Sequence, residues 1–153
     1  MNPGNLLFTF KGRINRAKYW LALVIWCVVW AAVLGAGFGG EMGAGFGGEM
    51  IAGNAGAILI VIILLLLVTS GVSGVAVGIK RLHDRDKSGW WLLIFYLLPA
   101  VFDGIGRGGV PALSLVAFAI SIWSFVELGC LRGTDGPNTY GPDPLEAGEE
   151  QPA

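Results

Sequence analysis

His83, the only histidine among 153 residues, is followed directly by Asp84 within the segment KRLHDRDKSGWW at 80–91. A His-Asp pair ligates a metal only when further His or Asp side chains face it, and one histidine cannot complete such a set. Ser88, four residues beyond Asp84, lacks the dedicated base that a serine nucleophile needs. At the head of an apolar run its ordinary role is a helix N-cap. No catalytic residue, metal-ligand set or cofactor motif is therefore expected, and the chain does not read as an enzyme. The segment offers charge and anchorage instead. Lys80, Arg81, Arg85 and Lys87, followed by Trp90 and Trp91, make a basic, aromatic-flanked turn suited to anionic lipid headgroups.

Two other groups of ionisable residues are candidates. Glu127 is the one acid between Val110 and Leu131, where a carboxylate at mid-bilayer costs ~3 kcal/mol and less near the interface. Its expected partner is Arg81, Arg85 or Arg132. Glu41 and Glu49 are the acids of two identical copies of GAGFGGEM, at 35–42 and 43–50. Two carboxylates are too few for a cation site, so the repeat reads as a slippage duplication in a tolerant glycine-rich loop. Cys27 and Cys130 both lie in apolar runs, which suggests neither a disulfide framework nor a cysteine metal site.

The elements that must position these residues are membrane helices. Charged residues are 14% of the chain and hydrophobic ones 54%, with 25 glycines besides. Mean hydropathy is +0.67. A water-soluble domain of this size could not cover that much apolar surface. A net charge of −1 leaves no basic surface large enough for nucleic acid. Tyr19–Gly40 and Ile51–Ile79 are free of charge, and each exceeds the ~20 residues needed to cross a bilayer. The first is read as an uncleaved span rather than a signal peptide, because its apolar run is too long.

The later spans are less plain. Trp90–Phe102 is short, and reaches the lower limit of a span only with its flanking residues. Val110–Leu131 completes a set of four, with three full spans and a re-entrant piece as the alternative. Lys and Arg favour the cytoplasmic side. Four basic residues precede the first span and four lie at 80–87, with none in the loop between, so both segments are expected in the cytoplasm. The fourth span would return the C-terminus there. Small residues at Ala31 and Gly35, at Ser70, Gly74 and Gly78, and at Ser114, Ala117, Ser121 and Ser124 are expected to pack the first, second and fourth spans together, or to form a seam between copies.

Three motifs resemble a bacterial membrane family, domain of unknown function 805. They are FKGRINRAKYW at 10–20, RLHDRDKSGWW at 81–91 and GTDGPNTYGPDP at 133–144, in the family's order and spacing. The resemblance implies an integral protein of the bacterial cytoplasmic membrane and supplies no activity. It draws attention to Arg13, Arg16, Trp20, Arg81, His83, Asp84, Ser88, Trp90, Asn138 and Tyr140, which the four-span arrangement gathers into one cytoplasmic cluster. Asp84 is expected within hydrogen-bonding distance of Arg13, Arg16 or Arg81, and His83 is expected to point to the tail around Asn138–Tyr140.

The expected architecture is thus all-α: an integral membrane bundle of four transmembrane helices, with short cytoplasmic motif-bearing loops. One membrane domain covers 1–145, with spans near 19–38, 57–79, 89–105 and 110–131. An acidic, disordered tail follows at 146–153. Both termini are cytoplasmic. The expected partners are the lipid bilayer, anionic headgroups, and a membrane partner protein or further copies of the chain; no cofactor is expected. The leading role is a small helical module whose basic face binds headgroups or a partner protein. The alternative is a subunit of a transporter or channel.

Overall fold

The structure is a computed structural model that describes residues 2–38 and 54–146. Most of the duplicated GAGFGGEM segment, and the tail beyond Glu146, lie outside the described residues. All regular elements among them are helical: α1 (Pro3–Phe8), α2 (Arg16–Phe38), α3 (Asn54–Asp84), α4 (Leu98–Arg107) and α5 (Pro111–Phe125). Wider π-helical turns precede α4 at Leu93–Leu97 and extend α5 at Val126–Cys130. Three helical stretches are long and apolar enough to cross a membrane: Arg16–Gly35, Ala57–Asp84 and Pro111–Cys130.

Each long helix follows from an uncharged run whose backbone groups bond internally, as lipid requires. Hydroxyls in these runs turn back on their own helix: Thr69 donates to the Leu65 carbonyl at 2.8 Å, and Ser121 to that of Ala117 at 2.9 Å. The fourth segment is shorter. Leu93–Arg107 is 15 residues, about 22 Å at 1.5 Å per residue. Pro99 has no N–H for the preceding turn, and the π-helical turn before it accommodates that loss. Gly108 and Gly109 then reverse the chain, and Pro111 begins α5. Gly106 lets the two arms close, since a Cβ on it would lie 2.8 Å from the Ser114 amide nitrogen.

The apolar side chains of the long helices are mostly outward-facing, with Val28 62%, Val68 65% and Leu115 71% exposed. Lipid is the solvent for such surfaces. The buried core instead sits at one end of the molecule, where Leu6, Ile14, Tyr19, Val77, Leu82, Leu92, Phe95 and Leu128 meet. The start of α2, the end of α3 and the end of α5 all lie at this end. Trp26 Nε1 donates to Ser73 Oγ at 2.9 Å and ties α2 to α3 just beyond the core.

Two expectations are corrected, and one element is new. The segment 81–91 is not simply a loop: α3 runs through Asp84, so Arg81 and Asp84 stand three residues apart on one helical turn. The small-residue stripes do not pack the first, second and fourth spans together. Gly78 meets Leu92, and a Cβ there would lie 2.9 Å from Leu92 Cδ2, whereas Gly35 and Gly74 face open space. Ser114 packs on Gly106 of the third segment instead. An additional helix, α1, precedes the first span. Its start was legible in Asn2-Pro3, where Asn2 Oδ1 accepts from the Gly4 amide at 3.2 Å and Pro3 takes the first helical position.

Candidate functional site

The site is built around Asp84, which is 2% exposed at the last turn of α3. Two guanidinium groups share its carboxylate. Arg81, on the same turn and fully buried, donates from Nη1 to Oδ2. Arg13, on the segment before α2, donates from Nε to Oδ1 at 3.2 Å. Two buried cations on one anion would be costly if their remaining N–H groups were idle. They are not. Arg81 also donates to the carbonyls of Leu128, at 2.8 Å, and Leu131. Arg13 donates to the carbonyls of Thr134 at 2.6 Å, Gly136 at 2.7 Å and Gly141 at 3.2 Å. Arg is the residue for this work, because its planar fork places several donors in fixed directions.

Through these bonds the tail 131–145 is clasped onto the helix ends. Thr134 reaches the Asp84 carbonyl twice, from its amide at 2.8 Å and its hydroxyl at 3.1 Å. Asn138 Nδ2 donates to the His83 carbonyl at 2.8 Å and to Thr134 Oγ1 at 2.9 Å. The amides and carbonyls of Asn138 and Gly141 pair at 3.0 and 3.1 Å, making a tight turn. Gly141 sits there at φ +135°, a conformation side chains resist. The turn presents Tyr140, whose ring stacks on His83 with centroids 3.8 Å apart and planes 5° from parallel. His83 Nδ1 lies 3.3 Å from the Gly12 carbonyl, which links the stack to the N-terminal segment.

Asp143 closes the tail on itself by accepting from the Gly136 amide at 3.0 Å and the Leu145 amide at 2.9 Å. The Leu145 N–H first, then that of Gly136 and the nearby Arg13 charge, hold its carboxyl below the usual range.

Two more locks surround this centre. Lys80 is fully buried at the end of α3, and its ammonium donates to the carbonyls of Asn5, at 2.9 Å, and Leu6. It thereby caps the C-terminus of α1, whose last carbonyls have no helical partner. Glu127, 3% exposed, accepts from Arg85 Nε at 2.8 Å and from Lys87 Nζ at 2.6 Å. Of its three expected partners it takes Arg85, and Lys87 is an addition. The π-helical turn at Val126–Cys130 turns its carbonyls toward side-chain donors, with Trp20 Nε1 on Gly129 at 3.0 Å and Arg16 on Cys130 at 3.4 Å. No buried side-chain N or O among the described residues is left without a partner.

Of the residues singled out in the sequence, Arg13, Arg81, His83, Asp84, Asn138 and Tyr140 therefore form one connected network. Trp20 is adjacent, edge-on to Phe125 at 5.8 Å. Arg16 stands apart from Asp84 and is exposed. Ser88 Oγ accepts from the Trp90 amide at 3.4 Å, an N-cap contact, and Trp90 is 77% exposed. Neither belongs to the network. Sequence reasoning missed Lys80, Gly133, Thr134 and Asp143. The last three lie inside the quoted tail motif, so their signal was present; Lys80 gave no sign beyond its place in a basic run.

A cavity of about 260 Å³ opens between the start of α2 and the tail, with Arg16, Arg132 and Asp135 on its walls and Asp84 and Asp143 among its lining. Among the described residues no three His, Cys, Asp or Glu side chains are grouped as a metal site.

Three long apolar helices converging on one arginine-centred polar end define an integral membrane protein. The chain belongs to the family described as "Protein of unknown function (DUF805)", whose model matches residues 7–142. That stretch takes in the clasp from Arg13 to Gly141 and stops just short of Asp143. Among its relatives are three proteins of Escherichia coli strain K12. "Uncharacterized protein YiiR" is 33% identical over 149 residues, covering 90% of this chain and 86% of that one. "Inner membrane protein YhaH" is 30% identical over 135 residues, covering 88% and 86%. "Inner membrane protein YhaI" is 27% identical over 135 residues, covering 88% and 85%. No solved structure matches.

Proposed function

We propose that the chain is a multi-pass protein of the bacterial cytoplasmic membrane, with four crossing segments and both termini in the cytoplasm. It is a binding module rather than an enzyme, and its basic cytoplasmic face holds lipid headgroups or a partner protein. The observation that carries this reading is the convergence of nine of the ten Lys and Arg residues on the end where α2 starts and α3 and α5 finish. Arg107 alone lies at the opposite end, in an exposed pair with Asp103 at 2.7 Å. Such asymmetry is the signature of a cytoplasmic face.

The return of the tail to the same end requires an even number of crossings. In this reading the short third segment crosses as well, with Asp103 and Arg107 in the far headgroup layer. Names of two relatives, which are called inner membrane proteins, support the location. The geometry also narrows the binding surface. Arg13, Lys80 and Arg81 are spent inside the fold, and Arg85 and Lys87 on Glu127, so a headgroup or partner would meet Lys11, Arg16, Lys18 and Arg132. Single-cysteine labelling from outside whole cells tests the topology. Positions 45 and 107 should label without permeabilisation, and 86 and 145 only after it. External labelling at 145 would remove the four-crossing arrangement.

A further inference from the structure

The cavity between the start of α2 and the tail has chemistry that the clasp does not use. Two guanidinium groups from separate elements border it, Arg16 from α2 and Arg132 from the tail. Both have donors to spare. Arg16 makes one long bond, 3.4 Å to the Cys130 carbonyl, and Arg132 one loose ion pair, 3.7 Å to Asp135 with both side chains at least 70% exposed.

The three carboxylates in the lining do not oppose an anion equally. Asp84 is neutralised by Arg13 and Arg81. Asp143 spends its oxygens on the amides of Gly136 and Leu145. Asp135 is 88% exposed and can turn with solvent away from Arg132. What remains on the cavity wall is a pair of guanidinium groups with N–H donors to spare, a fork whose shape matches phosphate oxygens. The volume of about 260 Å³ falls just below the usual range for drug-sized ligands, a size that suits a small polar group.

The geometry points to a phosphate-binding site: the cavity takes the phosphate of a phosphate ester, with Arg16 and Arg132 as its ligands. This inference rests on the proposed role of the face as a headgroup-binding surface and names its site. The same chemistry can come from a phospholipid headgroup or from a free phosphate, and both sources are separable by experiment.

Native mass spectrometry of the full chain in detergent, with phosphatidylglycerol or diacylglycerol of the same acyl chains, reads the lipid source. Thermal melting in sodium phosphate against sodium chloride of equal ionic strength reads the free one. Retention of phosphatidylglycerol over diacylglycerol identifies a lipid; phosphate-specific stabilisation without lipid preference identifies a free anion. In either case Arg16→Gln and Arg132→Gln should each weaken the effect about tenfold or more, and Arg16→Lys should restore part of it. Both side chains are exposed, so the fold should survive, which unchanged melting in chloride verifies. Binding that is indifferent to both substitutions, or diacylglycerol retained as well as phosphatidylglycerol with no phosphate effect, overturns the site. Detergent assays do not depend on sidedness. Failure here with a cytoplasmic tail leaves the topology standing, and arginine-dependent binding with an external tail overturns the topology alone.

Discussion

Gly133 lies against the carboxylate of Asp84 so closely that a methyl group on it would overlap Oδ2. The tail can lie over the Arg13–Asp84–Arg81 centre only because no side chain intervenes. The Asp84 carboxylate is held from two sides and cannot move aside without breaking bonds to both arginines.

Gly133→Ala should therefore lift the tail. Overpacking of this kind costs about 1–3 kcal/mol. Gly74→Ala, whose Cβ would meet open space within α3, should leave stability unchanged or slightly raised. Thermal melting of both variants in detergent, with limited proteolysis of the tail, checks the contrast. Equal melting of the two would show that the close approach does not matter.

Arg13 and Asp84 should be energetically coupled, whereas Arg16 and Asp84 should not. Breaking a buried pair from one side leaves an uncompensated charge and costs about 3–5 kcal/mol. Double-mutant cycles with Arg13→Ala, Arg16→Ala and Asp84→Asn separate the cases. A coupling of at least about 1 kcal/mol is expected for the first pair and less than about 0.5 kcal/mol for the second.

Lys80→Met should free α1 while leaving the apolar stem packed. The Leu6 carbonyl would lose its Lys80 donor, and the Asn5 carbonyl would keep only that of the Thr9 hydroxyl, at a cost of about 1–3 kcal/mol. Hydrogen exchange should rise at residues 3–10 and stay low at Leu82–Asp84. Uniform loss of protection would mean that Lys80 supports the whole core instead.

The tail should resist acid. Asp143 titrates below its unfolded value of about 3.9, so its contribution is complete above that pH and is lost as the pH falls through the lower, folded value. Tail protection should be constant from pH 7 to about 5 and should fall only below about 4. In Asp143→Asn, protection should start lower at pH 7 and show a weaker acid response. An identical acid profile in the variant would exclude Asp143 as the group responsible.

The sequence by itself determined the solvent of this protein and the elements within it. Uncharged runs of span length force helices in lipid, because backbone groups there must bond within their own segment. The family resemblance of its motifs singled out Arg13, Arg81, His83, Asp84, Asn138 and Tyr140, and antiparallel spans return those segments to one end. Only the tertiary structure decided which cations are structural. Lys80 and Lys11 look alike in a basic run, yet one is sealed under α1 and the other is exposed. Arg13 and Arg16 are three residues apart, and only Arg13 reaches Asp84. The division depends on which way the chain turns before α2, where Gly12 adopts φ +89° and the Ile14 amide meets the Lys80 carbonyl at 3.4 Å. A charged residue's partners are set by contacts across up to 128 positions, as between Arg13 and Gly141, and local composition carries no record of them.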